Sequence, residues 1–454
     1  MSGERHSHTP EAGPVVSFLK EAGRDRIPGT LPVISFRDED EHAFLDDLER
    51  CTESTVELSR RGHWHGQWAE LAAQACGIDL QAELSDLAEL QARWHEARPI
   101  VLPGILGTSL ERNPDEVAEA FELYHELGEA GGLRRWLKAR IDQLGPGWRV
   151  RDRRAGPSDP ERDLERVLIA KESNHRGLRD LWWKSGHLST VEGDDSLRLR
   201  VSFGREPEDD ASRDTVRHRA VSEMAEALLP CAGLISAEQS LARMIERVSG
   251  EELYHTQQIG YWNAPDGGAL FHHDAFEEEH EGGQRGVVYA QLAGRTAWLA
   301  LSLDDLALHV REFLQLLSEG ELDWVREELF PRPNDLPGAL ACATDDERLL
   351  RELALPGCGR FAALVNRGPE FTDYLANAGH AFLLEAGDVL LMPNFGLAST
   401  VMHSVYCADD VPTYAVSAGL RQERFEPEPD PQADARDARH PKDHKPRRPA
   451  RRRD

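Results

Sequence analysis

The chain has 454 residues, 40% hydrophobic and 30% charged, with 10 tryptophans; it suits one large domain with appendages or two domains, and it is neither fibrous nor wholly disordered. A formal net charge of -28 repels phosphate backbones, which argues against nucleic acid as a partner of the protein body. No apolar run reaches a membrane span, MSGERHSHTPEAGP lacks a signal-type segment, and Cys51, Cys76, Cys231, Cys342, Cys358 and Cys407 form no C-x-x-C pair. The expectations are a cytoplasmic location, no membrane partner, no disulfide framework and no thiolate zinc site.

In chain order, residues 1–35 are expected to be flexible and 36–250 mainly helical. LDDLER and DLAELQARWHEA alternate charged and apolar positions at helical spacing. RPIVLPGIL, Arg98 to Leu106, is apolar, rich in β-branched residues and bounded by Pro and Gly, as a short buried strand is. Helical patterns return in EVAEAFELYHELGEAGGLRRWLKARIDQLG, VRHRAVSEMAEALL and SAEQSLARMIERV, with DRRAGPSDPERD as a surface loop.

From residue 251 to 421 the pattern changes to short strand-like runs: HTQQIGYW, GALFHHDAF, GVVYAQLAG and TAWLALSL, then HAFLLEAG, DVLLMP, STVMHSVYCA and PTYAVSAGLR. A helical insertion over 305–378 separates the two groups. The tail 422–454 is basic and Pro-rich, and is expected to be disordered. Two clusters of short strands with helical additions fit a small β-barrel or a double-sheet jelly roll.

The chemistry-bearing feature is His272-x-Asp274. In an extended segment residues i and i+2 share a face, so both side chains reach one ion, while His273 points the other way. His403, on a later strand, is a third candidate ligand. Two imidazoles and one carboxylate on one side of an ion leave the opposite positions open, the arrangement of non-haem Fe(II) oxygen chemistry.

APDGGALFHHDAF, AQLAGRTAW, LEAGDVLLMP and MHSV follow one another in the order found in the JmjC and cupin-like family of Fe(II)/2-oxoglutarate oxygenases, which the chain resembles from Pro99 to Arg421, the ribosomal-oxygenase type most of all. The resemblance implies an α+β protein built on a double-stranded β-helix, a jelly-roll, cupin-like barrel. It implies that His272, Asp274 and His403 hold Fe(II), that 2-oxoglutarate is the co-substrate, and that a C–H bond of a protein, peptide or small molecule is hydroxylated with O2. A homodimer through the helical parts is a further possible arrangement.

One departure concerns the co-substrate. The family places Lys or Arg two residues after the glycine of the Q-x-x-G strand to bind the far carboxylate of 2-oxoglutarate, and here that position is Thr296. Arg295, Arg421 and, less well placed, Arg285 are candidate substitutes, and Tyr289 is a further candidate co-substrate contact. The alternative function is a cupin-type scaffold that binds a metal or ligand without oxidising it. Gln258, Tyr261 and Trp298 are weaker candidates for ligand contacts. The Glu277 to His280 run, the HWHGQW segment (His63 to Trp68) and Trp182-Trp183 read as solvated loop, junction and core. No phosphate-binding glycine loop and no nucleophile-elbow serine is present.

Overall fold

The computed structural model describes residues 87–151, 163–171, 181–188, 194–203, 215–265, 267–275, 283–320, 322–367, 369–375, 378 and 380–422. The expectations for 1–35, for HWHGQW, for the Glu277 to His280 run and for the tail beyond 422 lie outside these residues.

Thirteen strands are described: β1 (Ile100–Leu102), β2 (Trp148–Val150), β3 (Asp163–Lys171), β4 (Leu181–His187), β5 (Leu197–Phe203), β6 (Leu253–Trp262), β7 (Gly268–His272), β8 (Gln284–Ala293), β9 (Thr296–Ser302), β10 (Ala381–Leu384), β11 (Val389–Pro393), β12 (Val401–Cys407) and β13 (Tyr414–Gln422). They form a mixed α+β fold with two antiparallel sheets. The larger runs β1-β11-β8-β13-β6-β5-β4-β3-β2, and the smaller runs β10-β9-β12-β7.

Three apolar layers hold the sheets in place. One face of the large sheet packs against helices that include Pro114–Leu127, Thr215–Leu228 and Gln239–Ser249. The last of these buries Leu241, Ile245 and Val248, the spacing of one helical face. Between the sheets lie Val287, Tyr289, Leu390, Met392 and Ala415 from the large sheet and Trp298, Ala300, Phe382 and Val405 from the small one. The outer face of the small sheet is covered by the helical segment that begins at Leu303. Ser302 ends β9 and caps the helix Leu303–Ser318, its hydroxyl accepting from the Asp305 N–H at 3.0 Å. That helix buries Leu306, Val310, Phe313, Leu314 and Leu317, at about 1.5–3 kcal/mol for each large side chain removed from water.

Among the described residues of 36–250 helices predominate and β1 is the early strand, but β2, β3, β4 and β5 also lie there and widen the large sheet. LRLRVSF shows the reason. Leu197, Leu199 and Val201 enter the helix-covered core, while Arg198 and Arg200 occupy the other face, so the segment alternates with period two between strong helical patterns. Trp182 and Trp183 are both buried, on opposite faces of β4. The helices of the insertion run from Leu303 to Leu375 and brace β7, an edge of the small sheet, where the Asn366 Oδ1 accepts the Phe271 N–H at 3.1 Å. Among the described residues no helix is long and apolar enough to cross a membrane.

Asn366→Ala strands the buried Phe271 N–H, and urea unfolding is expected to show a loss of about 1–3 kcal/mol. An unchanged midpoint would mean that the helical segment does not brace β7.

Candidate metal centre

β7 and β12 are antiparallel neighbours, and His272 is paired directly with His403. Cross-strand partners project from the same face with Cβ atoms about 4.5–5.5 Å apart, and here the two imidazole centroids are 4.2 Å apart. The strand ends at His272, and Asp274 lies two residues beyond it, its side chain 43% exposed and one carboxylate oxygen 3.9 Å from the His403 Nε2. Ligand atoms of His272, Asp274 and His403 all lie within 4.8 Å of one another, so this group can hold a metal ion.

The donor chemistry fits a cation. The Nδ1 of His272 lies 2.6 Å from the Leu270 carbonyl, and that of His403 lies 3.4 Å from the Val401 carbonyl. A proton on each Nδ1 satisfies those oxygens and leaves both Nε2 lone pairs for the ion. Neighbouring ligands on an octahedral ion stand roughly 3 Å apart for bonds near 2.1 Å, so donors that lie within 4.8 Å of one another must close by up to about 2 Å. Asp274, just past the strand end and 43% exposed, is the ligand outside the ladder. Burial, reinforced by the adjacent His272, pushes His403 down to about 3, which keeps this imidazole neutral. His273 points away, its Nε2 2.9 Å from the Ala354 carbonyl and its Nδ1 accepting from the Ala275 N–H.

The glycines before the triplet answer a steric demand. A Cβ at Gly268 would lie 2.0 Å from the Val405 carbonyl oxygen, and one at Gly267 would lie 2.1 Å from an Asp194 oxygen. Asp194 and Ser196 bind this approach: the Asp194 carboxylate accepts from the Gly268 and Ser196 N–H groups, and the Ser196 hydroxyl accepts from the Ala264 N–H. Burial raises Asp194 against the pull of these hydrogen bonds. Sequence reasoning missed both residues, which stand some seventy positions upstream in no recognisable motif.

Between the sheets a cavity reaches the triad, lined also by Tyr261, Asn263, Ala269, Val287, Tyr289, Trp298, Met392, Val405, Ser417 and Leu188. Trp298 packs on His403 with ring centroids 5.7 Å apart and meets Tyr289 edge-on at 4.7 Å. Burial, then the Asp274 charge, pushes the Tyr261 hydroxyl up to about 12, and burial raises Tyr289 further, so both remain protonated donors. Among the described residues no lining residue comes from the helical segment after β9, and none is Lys or Arg.

The structure separates the co-substrate candidates. Tyr289 lines the cavity; Thr296, Arg295 and Arg421 do not. The Thr296 hydroxyl donates to the Gln291 Oε1 at 2.7 Å and accepts from the Trp298 Nε1 at 2.9 Å, so a closed neutral network stands where the family has a cation. Arg295 is turned to Asp409, its Nε donating to Oδ1 at 2.7 Å. Arg421 is buried on β13 opposite Tyr254 and Gln284. Arg285 binds Glu251 and Gln422. Gln258 faces the helix Thr215–Leu228 and binds Glu226 there, whereas Tyr261 and Trp298 line the cavity.

No family model and no curated protein matches this chain. Among solved structures, an X-ray structure of E. coli ycfD is similar at 15% identity and a TM-score of 0.24, over 81% of this chain and 61% of that one. The match thus spans under two thirds of that chain, and a likeness at that score says nothing about the site.

His272→Ala and Asp274→Ala are expected to abolish Mn(II) binding in calorimetry, and His273→Ala to leave it within about threefold; the reverse pattern would show that the parity of the triplet has been misassigned. A second expectation concerns acid. His403 folds with its value below the ordinary 6.5, so below that pH the unfolded chain takes up a proton that the native state refuses. The stability it contributes is complete above pH 6.5 and is lost as pH falls toward 3. At pH 5 the metal-free protein should have lost on the order of 2 kcal/mol on this account. His403→Leu should show a correspondingly shallower fall in urea unfolding between pH 7 and pH 5; an equal fall would exclude His403 as its source.

Proposed function

We propose that the protein is an Fe(II)- and 2-oxoglutarate-dependent oxygenase of the JmjC and cupin-like type that hydroxylates a C–H bond. The observation that carries this reading is the convergence of His272, Asp274 and His403 in the lining of one cavity, two imidazoles and a carboxylate with their ligand atoms within 4.8 Å of one another. Sheet order supports it as well. From β6 to β13 the chain places β6, β8, β11 and β13 side by side in the large sheet and β7, β9, β10 and β12 in the small one, the four-and-four arrangement of a double-stranded β-helix.

Bound iron with 2-oxoglutarate would supply the oxidising power, turning O2 and the keto acid into succinate, CO2 and a hydroxylated product. The rest falls to the side chains of this chain. His272 and His403 present Nε2 in a tautomer held by backbone carbonyls, and Asp274 closes the third position from a segment free to adjust. Trp298, stacked on His403, and Val287, Met392 and Val405 keep water from the cavity floor. The Tyr261 hydroxyl, protonated at neutral pH and accepting from the Ser417 Oγ, is left to donate a hydrogen bond to an oxygen of a bound ligand, while the Tyr289 proton is given to Gln291. The substrate class in this reading is a protein or peptide side chain or a small molecule.

The test is anaerobic addition of Fe(II) and then 2-oxoglutarate. The expected result is a weak metal-to-ligand charge-transfer band in the visible, followed in air by succinate formation, both absent in Asp274→Ala. If the wild type gives neither band nor succinate, the protein is a metal- or ligand-binding scaffold, a reading favoured by the lack of a cation among the described lining residues.

A further inference from the structure

The helical segment leaves the small sheet from β9 and returns to it at β10, the edge away from β7. β9 runs into the helix Leu303–Ser318 through the Ser302 cap, and β10, whose Ala381 pairs with Leu299 of β9, begins one residue after His380. Two imidazoles meet where these ends come together. The Nε2 of His309, on that helix, lies 2.8 Å from the Nε2 of His380, with ring centroids 4.8 Å apart. Neither residue lines the cavity at the triad.

Two imidazole nitrogens at this distance share either a proton or a cation. What surrounds them favours the cation. The Glu312 carboxylate, three residues along the helix, lies 3.0 Å from the His309 Nδ1 and accepts from the Tyr374 hydroxyl at 2.7 Å. An ionised carboxylate accepts and does not donate, so Nδ1 carries the His309 proton and the neutral ring turns its Nε2 lone pair toward His380. A carboxylate that fixes the far nitrogen of a histidine is the usual companion of a metal-bound imidazole. Burial, then the His309 ring, pushes His380 down to about 4, which keeps it neutral. Placing its proton on Nδ1 frees a second Nε2 lone pair for the same ion.

The geometry asks little of the pair. Two nitrogens on a tetrahedral ion stand roughly 3.3 Å apart for bonds near 2.0 Å, so the rings must part by about 0.5 Å. The His309 side chain is 14% exposed and that of Glu312 46%, which leaves an approach for the ion and for the waters that complete its shell. Charge around the pair is mixed, Asp305 against Arg98 and Arg93, and Asp305 is itself paired with Arg98. Attraction therefore rests on the imidazoles, which suit Zn(II), Ni(II) and Cu(II) and serve Mg(II) and Ca(II) poorly.

We propose that His309 and His380 form a second metal site, for a divalent transition ion of the Zn(II) class, which clips the outgoing and returning ends of the helical segment together. Glu312 and Tyr374 orient the His309 ring within it. This inference does not depend on the oxygenase reading.

The experiment titrates Zn(II) into the full chain carrying His272→Ala and Asp274→Ala, which removes the triad, and reads calorimetry and the thermal unfolding midpoint. One ion is expected to bind and to raise the midpoint, with Mg(II) at the same concentration doing neither. Adding His309→Gln or His380→Gln should weaken binding by at least about tenfold and abolish the rise, while the amide keeps a hydrogen bond to the remaining imidazole and so preserves the fold; Glu312→Gln should weaken binding by about ten- to a hundredfold. Zn(II) binding that survives both histidine substitutions unchanged overturns the site, and so does an absence of binding, which leaves a shared proton between the rings. Should the triad variant fold poorly, the otherwise wild-type chain gives the same comparison: His309→Gln is expected to remove one bound ion and its share of the rise, and no difference overturns the proposal.

Discussion

The pairing of β7 with β12 is the constraint on which the site depends. His272 and His403 are 131 positions apart, yet the ladder sets them opposite each other, so their separation follows from strand spacing and not from any local turn. The register shift between His403 and Val405 belongs to the same arrangement, because an irregularity in a ladder changes the aim of the side chains around it. Everything that keeps these strands together therefore acts on the metal centre: Gly268, which lets the backbone of β7 approach Val405; Asp194 and Ser196, which hold the segment before it; and Asn366, which satisfies its outer edge.

The helical segment from Leu303 to Leu375 contributes at a distance. Among its described residues it supplies none to the cavity lining; it covers the outer face of the small sheet, burying apolar side chains that would otherwise meet water and meeting β7 through Asn366 and His273 through Ala354. An edge strand that carries one metal ligand and leads into a second is a poor support unless its free side is occupied, and a helix packed along that side provides the occupation.

The interior between the sheets shows a second economy of design. Thr296, Gln291, Trp298 and Tyr289 form a closed set of neutral hydrogen bonds, so the buried polar atoms are satisfied without a charge. A guanidinium in that place would need both an anion and space. Positive charge is found instead on β3, β4 and β5, where Arg166 and Lys184 are buried and Arg200 half-buried, each with a partner of its own.

Residue order alone determined the strand-rich half from Tyr254 onward, the helical interruption within it, and the three metal-ligand candidates, because period-two alternation and the H-x-D spacing are local properties that hold before the chain folds. The direction of His273 was legible for the same reason. Folding in three dimensions decided what depends on partners far along the chain. It showed that Arg198 shares a face with Tyr261, that Asp194 is the reason for two consecutive glycines, and that Arg295 belongs to Asp409. It also drew β2 to β5 out of a region that reads as helical, since a strand with one charged face is stabilised by its neighbours in the sheet and by the helices behind it, neither of which is written in its own few residues.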